Sequence, residues 1–244
     1  MLMVTVVAAT LAANADAIAI QSTLARWRQL AKDTKSLVVE FAMTRRDRAT
    51  GREDVYDCMI RLLRTDSDTL AKLVTRNRAT KGVFECVLRN GRYHLPNAAA
   101  KSLLIYKPET VLPTAAGVFS PLLTALLMEK PEPLFSLKVS MREKFYTHLD
   151  FTPKDRAAKA DSERGRVVVV HRTNDQLPVG VPRQLWHDLP GGQTRVALDI
   201  EKWEMNGKNP PRVEEFNVPG EKEGWKVTVT EGFWKDLQKR RTDK

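Results

Sequence analysis

Cysteine is nearly absent from this chain, with only Cys58 and Cys86 in 244 residues. That excludes a disulfide-stapled scaffold and any metal centre built on several thiolates. Histidine is as thin: His94, His148, His171 and His187 lie far apart on segments that read as strands. There is no H-E-x-x-H, G-x-S-x-G, P-loop or dinucleotide fingerprint, so the usual hydrolytic, nucleotide and redox chemistries have no motif to rest on. Glu201 with Glu204, and Glu214 with Glu215, are the nearest approach to paired carboxylates, and on charged segments they read as solvated faces. The expectation is a non-enzymatic protein with no cofactor and no metal. Long apolar runs are also missing beyond the N-terminus. The oiliest later stretch, residues 120–128 (SPLLTALLM), would span only ~14 Å as a helix, too short to cross a bilayer.

What the chain does have is charge. Forty Lys and Arg against thirty Asp and Glu give a formal +10 and a pI near 9.7. The surplus attracts anions, whether phospholipid headgroups or acidic protein surfaces. The basic residues are spread along nearly every segment and mixed with acids, which argues against a nucleic-acid partner. Hydrophobic residues, at 42%, suffice for an ordinary core in one large domain or two small ones. Residues 1–17 combine an apolar run with two A-x-A sites, at Ala13-Asn14-Ala15 and Ala15-Asp16-Ala17, and read as a secretory leader. They lack a basic residue ahead of the apolar run, so the other reading is a membrane-brushing N-terminal segment. A leader implies the periplasm.

Ile20, Leu24, Trp27 and Leu30 recur at helical spacing and predict an amphipathic helix to about Lys35. The period then changes to two: Leu37, Val39, Phe41 and Met43 alternate with Val38, Glu40, Ala42 and Thr44. Strand patterns follow through residue 106 and again from 134 to 230, punctuated by turn signals such as Asn90-Gly91 and Gly191-Gly192. Between them, residues 114–130 predict an oily helix containing Phe119, Leu122, Leu123 and Leu126, and 154–163 a shorter one. No repeat or linker divides the chain, so 18–233 form one domain and 234–244 a basic tail. The fold class is α+β: a single large curved antiparallel sheet of about eleven strands, joined by hairpins into an unclosed half-barrel, with an N-terminal helix and a central helical lid or plug.

Strand parity places both thiols inward. With hairpins pairing in chain order, a strand separates them by two strand spacings, ~9 to 10 Å, beyond the ~7 Å reach of a disulfide. Two buried free thiols are expected, the alternative being a disulfide of the kind an oxidising compartment favours. Arg64 keeps the parity of Ile60 and Leu62, and stands either as a latch at the rim of the apolar face or as a solvated strand-end arginine.

Several segments resemble the LolA-like superfamily of periplasmic lipoprotein carriers and their relatives, over roughly residues 20–230. These are Ser36-Leu-Val-Val-Glu-Phe-Ala-Met-Thr after an amphipathic helix, Leu62-Leu-Arg before a turn, and Glu85-Cys-Val-Leu-Arg-Asn-Gly-Arg-Tyr. Further on come Tyr146-Thr-His-Leu-Asp-Phe-Thr-Pro-Lys, Pro182-Arg-Gln-Leu-Trp, and Phe216-Asn-Val-Pro with Gly224-Trp225. The resemblance implies a half-barrel whose helices lid a hydrophobic cavity that receives acyl chains without chemistry, latched by an arginine at the position of Arg64. The pattern departs at Thr65, where the carriers commonly have Pro, between Asp68 and Val74, where their aromatics are missing, and over residues 97–101. Expected cavity residues are Leu37, Val39, Phe41, Met43, Ile60, Leu62, Phe84 and Leu88, with Phe119, Leu122, Leu123 and Leu126 on the lid; the alternative is that they fill a dry core. The expected partner is a lipid or lipoprotein acyl chain, held by a monomer, with envelope proteins or an anionic membrane surface as further partners. The second function class is an envelope sensor or scaffold using the same fold to hold a protein.

Overall fold

Residues 1–33 contain neither Gly nor Pro and are rich in Ala and Leu, which leaves nothing to stop a helix. The computed structural model, which describes residues 2–106, 135–154, 162–173, 177–220 and 223–230, accordingly forms helix α1 over Leu2–Asp33. It begins well before the predicted start and takes in the segment read as a leader. Twelve strands follow: β1 (Ser36–Asp47), β2 (Glu53–Arg64), β3 (Thr69–Asn77), β4 (Val83–Arg89), β5 (Arg92–Asn97), β6 (Ser102–Tyr106), β7 (Phe135–Arg142), β8 (Tyr146–Pro153), β9 (Arg164–Val170), β10 (Pro182–Asp188), β11 (Thr194–Met205) and β12 (Lys226–Thr230). They form one unclosed sheet in the order β12-β6-β5-β4-β3-β2-β1-β11-β10-β9-β8-β7.

Two expectations need correction. The sheet has twelve strands, and hairpin order fails at its end: β12 does not pair with β11 but lies parallel to β6. A parallel neighbour requires a crossover, and the segment after β11 supplies one, passing over β3 and β4 through a 3-10 turn at Val213–Phe216. The helix expected over 114–130 lies outside the described residues, as does most of the one expected over 154–163.

The chain divides into two compact units. Unit 1 comprises Met1–Asp33, Thr44–Glu53 and Val118–Ile200; unit 2 comprises Thr34–Met43, Asp54–Gly117 and Glu201–Lys244. In unit 1, α1 buries Leu24, Trp27, Leu30 and Ala31, and the Trp27 indole donates to the Gly180 carbonyl at 2.7 Å. Strand β9 is buried on both faces by the run Val167 to Val170, which is why its pattern is continuous rather than alternating.

In unit 2 the hairpins follow local turn chemistry. Asn90 and Gly91 both take positive φ, 51° and 62°, as a two-residue type I′ turn demands, and they bring Arg89 opposite Arg92. At the β3–β4 turn the Asn77 side-chain oxygen accepts the N–H groups of Ala79 and Thr80, each at 2.9 Å. In unit 1, Asp47 does the same for Ala49 and Thr50 in a loop of nearly identical sequence. The short polar side chain substitutes for a backbone partner and sets the turn.

Candidate functional site: an apolar face and a split in unit 2

Register builds the apolar face of unit 2 strand by strand. Cys58 faces Thr75, which faces Phe84; Ile60 faces Leu73, which faces Cys86; Leu62 faces Ala71, which faces Leu88, which faces Tyr93. Side chains in such rows lie on one side of a sheet. Ile60, Leu62, Leu73 and Cys86 are at most 1% exposed. On β1, Leu37, Val39, Phe41 and Met43 are buried along one side. Phe84 and Leu88 are only half-buried, so the face opens toward β4. Phe119, Leu122, Leu123 and Leu126 lie outside the described residues.

The thiols sit as expected, buried and free, one on each side of β3. Burial pushes both up to about 12, with Asp57 adding to Cys58 and Glu85 to Cys86. A thiol held that far from ionisation is a core side chain rather than a nucleophile. Arg64 ends β2 opposite Thr69, on the side of Leu62, and its N–H donates to the Lys35 carbonyl at 2.8 Å. Among the described residues, no group of three or more His, Cys, Asp or Glu could hold a metal, and no helix is long and apolar enough to cross a membrane.

The apolar face breaks open between β4 and β5. These strands pair only at Val87–His94, Leu88–Tyr93 and Arg89–Arg92, although β5 continues to Asn97 against β6. The next closely hydrogen-bonded position would set Glu85 against Pro96. Proline has no N–H to donate, and the ladder stops there. The Asn77 N–H donates to the Gly82 carbonyl at 2.9 Å. In an antiparallel ladder this phase turns the main-chain groups of Phe84 and Cys86 toward β3, and those of Val83 and Glu85 toward the split. A cleft of about 780 Å³ results, with Val83, Phe84 and Glu85 on one wall, Leu95, Pro96 and Leu104 on the other, and Pro219 and Trp225 beside them. Of the sequence-predicted cavity residues that are described, only Phe84 lines it. Pro96 was the available signal for the split; Leu95, Leu104 and Trp225 have no local signature.

On the opposite face of β3 and β4, Phe216 packs on Leu70 and Val87, and Arg61 pairs with Glu215. That face is therefore partly covered by the crossover.

Unit 1 holds a charged cluster that sequence reasoning missed entirely. Asp188, the last residue of β10, stands opposite both Arg164 of β9 and Arg195 of β11, and Arg48 arrives from the turn after β1. Its Oδ1 accepts from Arg48 Nη2 and Arg195 Nε, each at 2.9 Å. Its Oδ2 accepts from Arg164 Nε at 3.1 Å and Arg195 Nη2 at 3.3 Å. Burial alone would raise this carboxyl, but hydrogen bonds from Arg195 and Arg164 and the nearby charges of Arg195 and Arg48 outweigh it and hold the group below its ordinary value. The Arg195 guanidinium lies 3.9 Å over the Trp186 ring.

No family model matches this chain, and no curated protein matches it in sequence. Solved structures do. An uncharacterized conserved protein from Thermus thermophilus is similar at 9% identity with a TM-score of 0.52, covering 87% of this chain and 99% of that one; it shares the fold. A LolA superfamily protein from Nitrosomonas europaea is similar at 10% identity and a TM-score of 0.47, over 81% of this chain and 97% of that one. The MucA/MucB complex of Pseudomonas aeruginosa is similar at 13% identity and a TM-score of 0.41, over 80% of this chain and 61% of that one.

Proposed function

We propose that this chain is a divergent LolA-like binding protein that shields a lipid or lipoprotein acyl chain on the apolar face of unit 2 and performs no chemistry on it. The observation that carries this reading is the continuity of that face. It runs from Ile60 and Leu62 across Leu73, Cys86 and Leu88, and opens beside Phe84, Leu95 and Leu104 in the β4–β5 cleft. An acyl chain needs no matched polar partner along its length. Burying about a dozen methylenes contributes ~10 kcal/mol at ~0.8 each, against a cost of several kcal/mol for lost freedom on association. In this reading Leu37, Val39, Phe41 and Met43 extend the apolar surface, Phe119, Leu122, Leu123 and Leu126 belong to a lid, and Arg64 latches it. The leader places the carrier in the periplasm, where a monomer can exchange cargo between surfaces.

Organic extraction of the purified full chain followed by lipid mass spectrometry tests the proposal. Stoichiometric lipid is expected, and Leu95→Glu in the cleft wall should deplete it while circular dichroism stays unchanged. An empty wild-type protein would overturn the reading.

One observation favours a second reading, in which the chain is an envelope sensor or scaffold for a protein partner. The main-chain groups of Val83 and Glu85 face the split, where an extended segment could add as a strand. Lipid-free protein whose Val83 and Glu85 amides gain exchange protection on adding a strand-forming peptide would favour it.

A further inference from the structure

We propose that the rim of unit 1 around Asp188 is an oxyanion site for the phosphate class, either free phosphate or the phosphate of a lipid headgroup. The proposal goes beyond acyl-chain binding and stands apart from it, because every residue involved belongs to unit 1.

The starting point is an imbalance of charge. Three arginines converge on one aspartate whose side chain is 1% exposed, and its two oxygens are saturated by four hydrogen bonds. Tying the strand ends together needs one carboxylate and one or two cations. Here two positive charges remain in excess of Asp188. The neighbouring Arg166 does not alter this, since it is matched by Asp150 at 2.6 Å. Among the described residues the one further acid at the rim is Glu163, whose carboxylate lies close to Gly192 and reduces the excess to one.

The second element is donors left unspent. A guanidinium has five N–H groups in a rigid fork. Arg164 bonds Asp188 through Nε, and its side chain is 65% exposed, which leaves both terminal nitrogens without a partner among the described residues. Arg195 uses its Nε–Nη2 edge on Asp188 and lies 3.9 Å over the Trp186 ring, so its remaining nitrogen is held in place. Arg48 is pinned by Asp188 and by the Gly192 carbonyl at 3.1 Å. The buried carboxylate thus works as an inner template that arranges three guanidiniums before any ligand arrives.

The third element is room. The turn beside the cluster is Gly191-Gly192, and a side chain at Gly191 would meet nothing within 4 Å. A tetrahedral oxyanion carrying a single charge, as dihydrogen phosphate or a phosphodiester headgroup does, matches the excess of one, and charge-assisted contacts to guanidinium forks are the strong kind. Arg195 on the Trp186 ring supplies a built-in reporter.

The test is titration of the full chain with inorganic phosphate at low salt, followed by calorimetry and by tryptophan fluorescence, with Trp186→Phe identifying the responding ring. Saturable binding is expected. Arg164→Gln, at the most exposed of the three arginines, should weaken it about tenfold with the thermal midpoint little changed, and Glu163→Gln should tighten it severalfold. A purely structural knot predicts neither effect. A second arm compares sedimentation with phosphatidylcholine vesicles and with vesicles containing phosphatidylglycerol. Capture by the anionic vesicles alone, lost in Arg164→Gln, assigns the headgroup as the source. Phosphate binding with no vesicle capture assigns the free ion. Absence of binding in both arms, or binding indifferent to Arg164→Gln and Glu163→Gln, overturns the proposal.

Discussion

Packing leaves no room for a side chain at Gly165. A methyl group there would run into the Phe151 ring and the Trp186 carbonyl, and Phe151 is held edge-on against Phe135 with ring centroids 5.4 Å apart. Neither neighbour is a free-swinging chain end. Gly165→Ala should therefore cost ~2 kcal/mol or more by overpacking, visible as a lower urea midpoint at unchanged m-value. The thiols offer a second residue-level prediction. Both have pKa values near 12 through burial, and reactivity follows the thiolate. A thiol reagent at pH 8 should modify Cys58 and Cys86 slowly in the native protein and completely in denaturant. Rapid native labelling of both would show that the face is not closed over them. The parity of Cys58 and Cys86 was legible in the sequence, because alternation along a strand is a local property. The tight fit of Gly165 was not, because both of its constraining atoms come from neighbouring strands.

Among the elements, β5 decides whether unit 2 is open. Pro96 denies Glu85 a hydrogen-bond donor and ends the β4–β5 ladder early. Pro96→Val restores the donor, and hydrogen exchange at the Glu85 amide should slow as the strands zip together. Bound lipid should fall in the same variant, since the cleft narrows. The crossover behaves as a second such element. Phe216, 0% exposed, anchors it against Leu70 and Val87. Phe216→Ala should cost ~3 to 5 kcal/mol and raise exchange along β12 before the rest of unit 2. The Asn90-Gly91 hairpin was readable because a type I′ turn advertises itself in two residues. The parallel placement of β12 was not, since it depends on where the long crossover after β11 lands. The early start of α1 was obscured by leader-like composition, although the lack of Gly and Pro permits the helix.

For the whole molecule, the titrating groups bound a window of stability. Asp150 and Asp188 are lowered from 3.8. For Asp150 the first cause is its hydrogen bond from Arg166; for Asp188 the arginines outweigh the opposing effect of burial. Their contribution is present above about pH 4 and is lost as pH falls through the folded values. Cys58 and Cys86 are raised from 9.0 to about 12, so between those values the unfolded chain releases protons that the folded chain keeps. Their contribution is present below about pH 9 and fades above it. Chemical denaturation across pH should give a plateau between about 6.5 and 9, since burial lowers His94 from 6.5 and its contribution fades as pH falls below that value, and Cys58→Ala with Cys86→Ala should flatten the alkaline limb. The sequence by itself determined the α+β class, the alternation along the strands, the hairpin turns and the buried thiols, because each follows from residues a few positions apart. Only the tertiary structure decided the β4–β5 cleft and the three arginines on Asp188. Arg48 meets Asp188 from 140 residues away, and Pro96 matters only through the strand it fails to pair. Such features depend on register between distant strands, and register is settled by the packing of the whole sheet rather than by any local pattern.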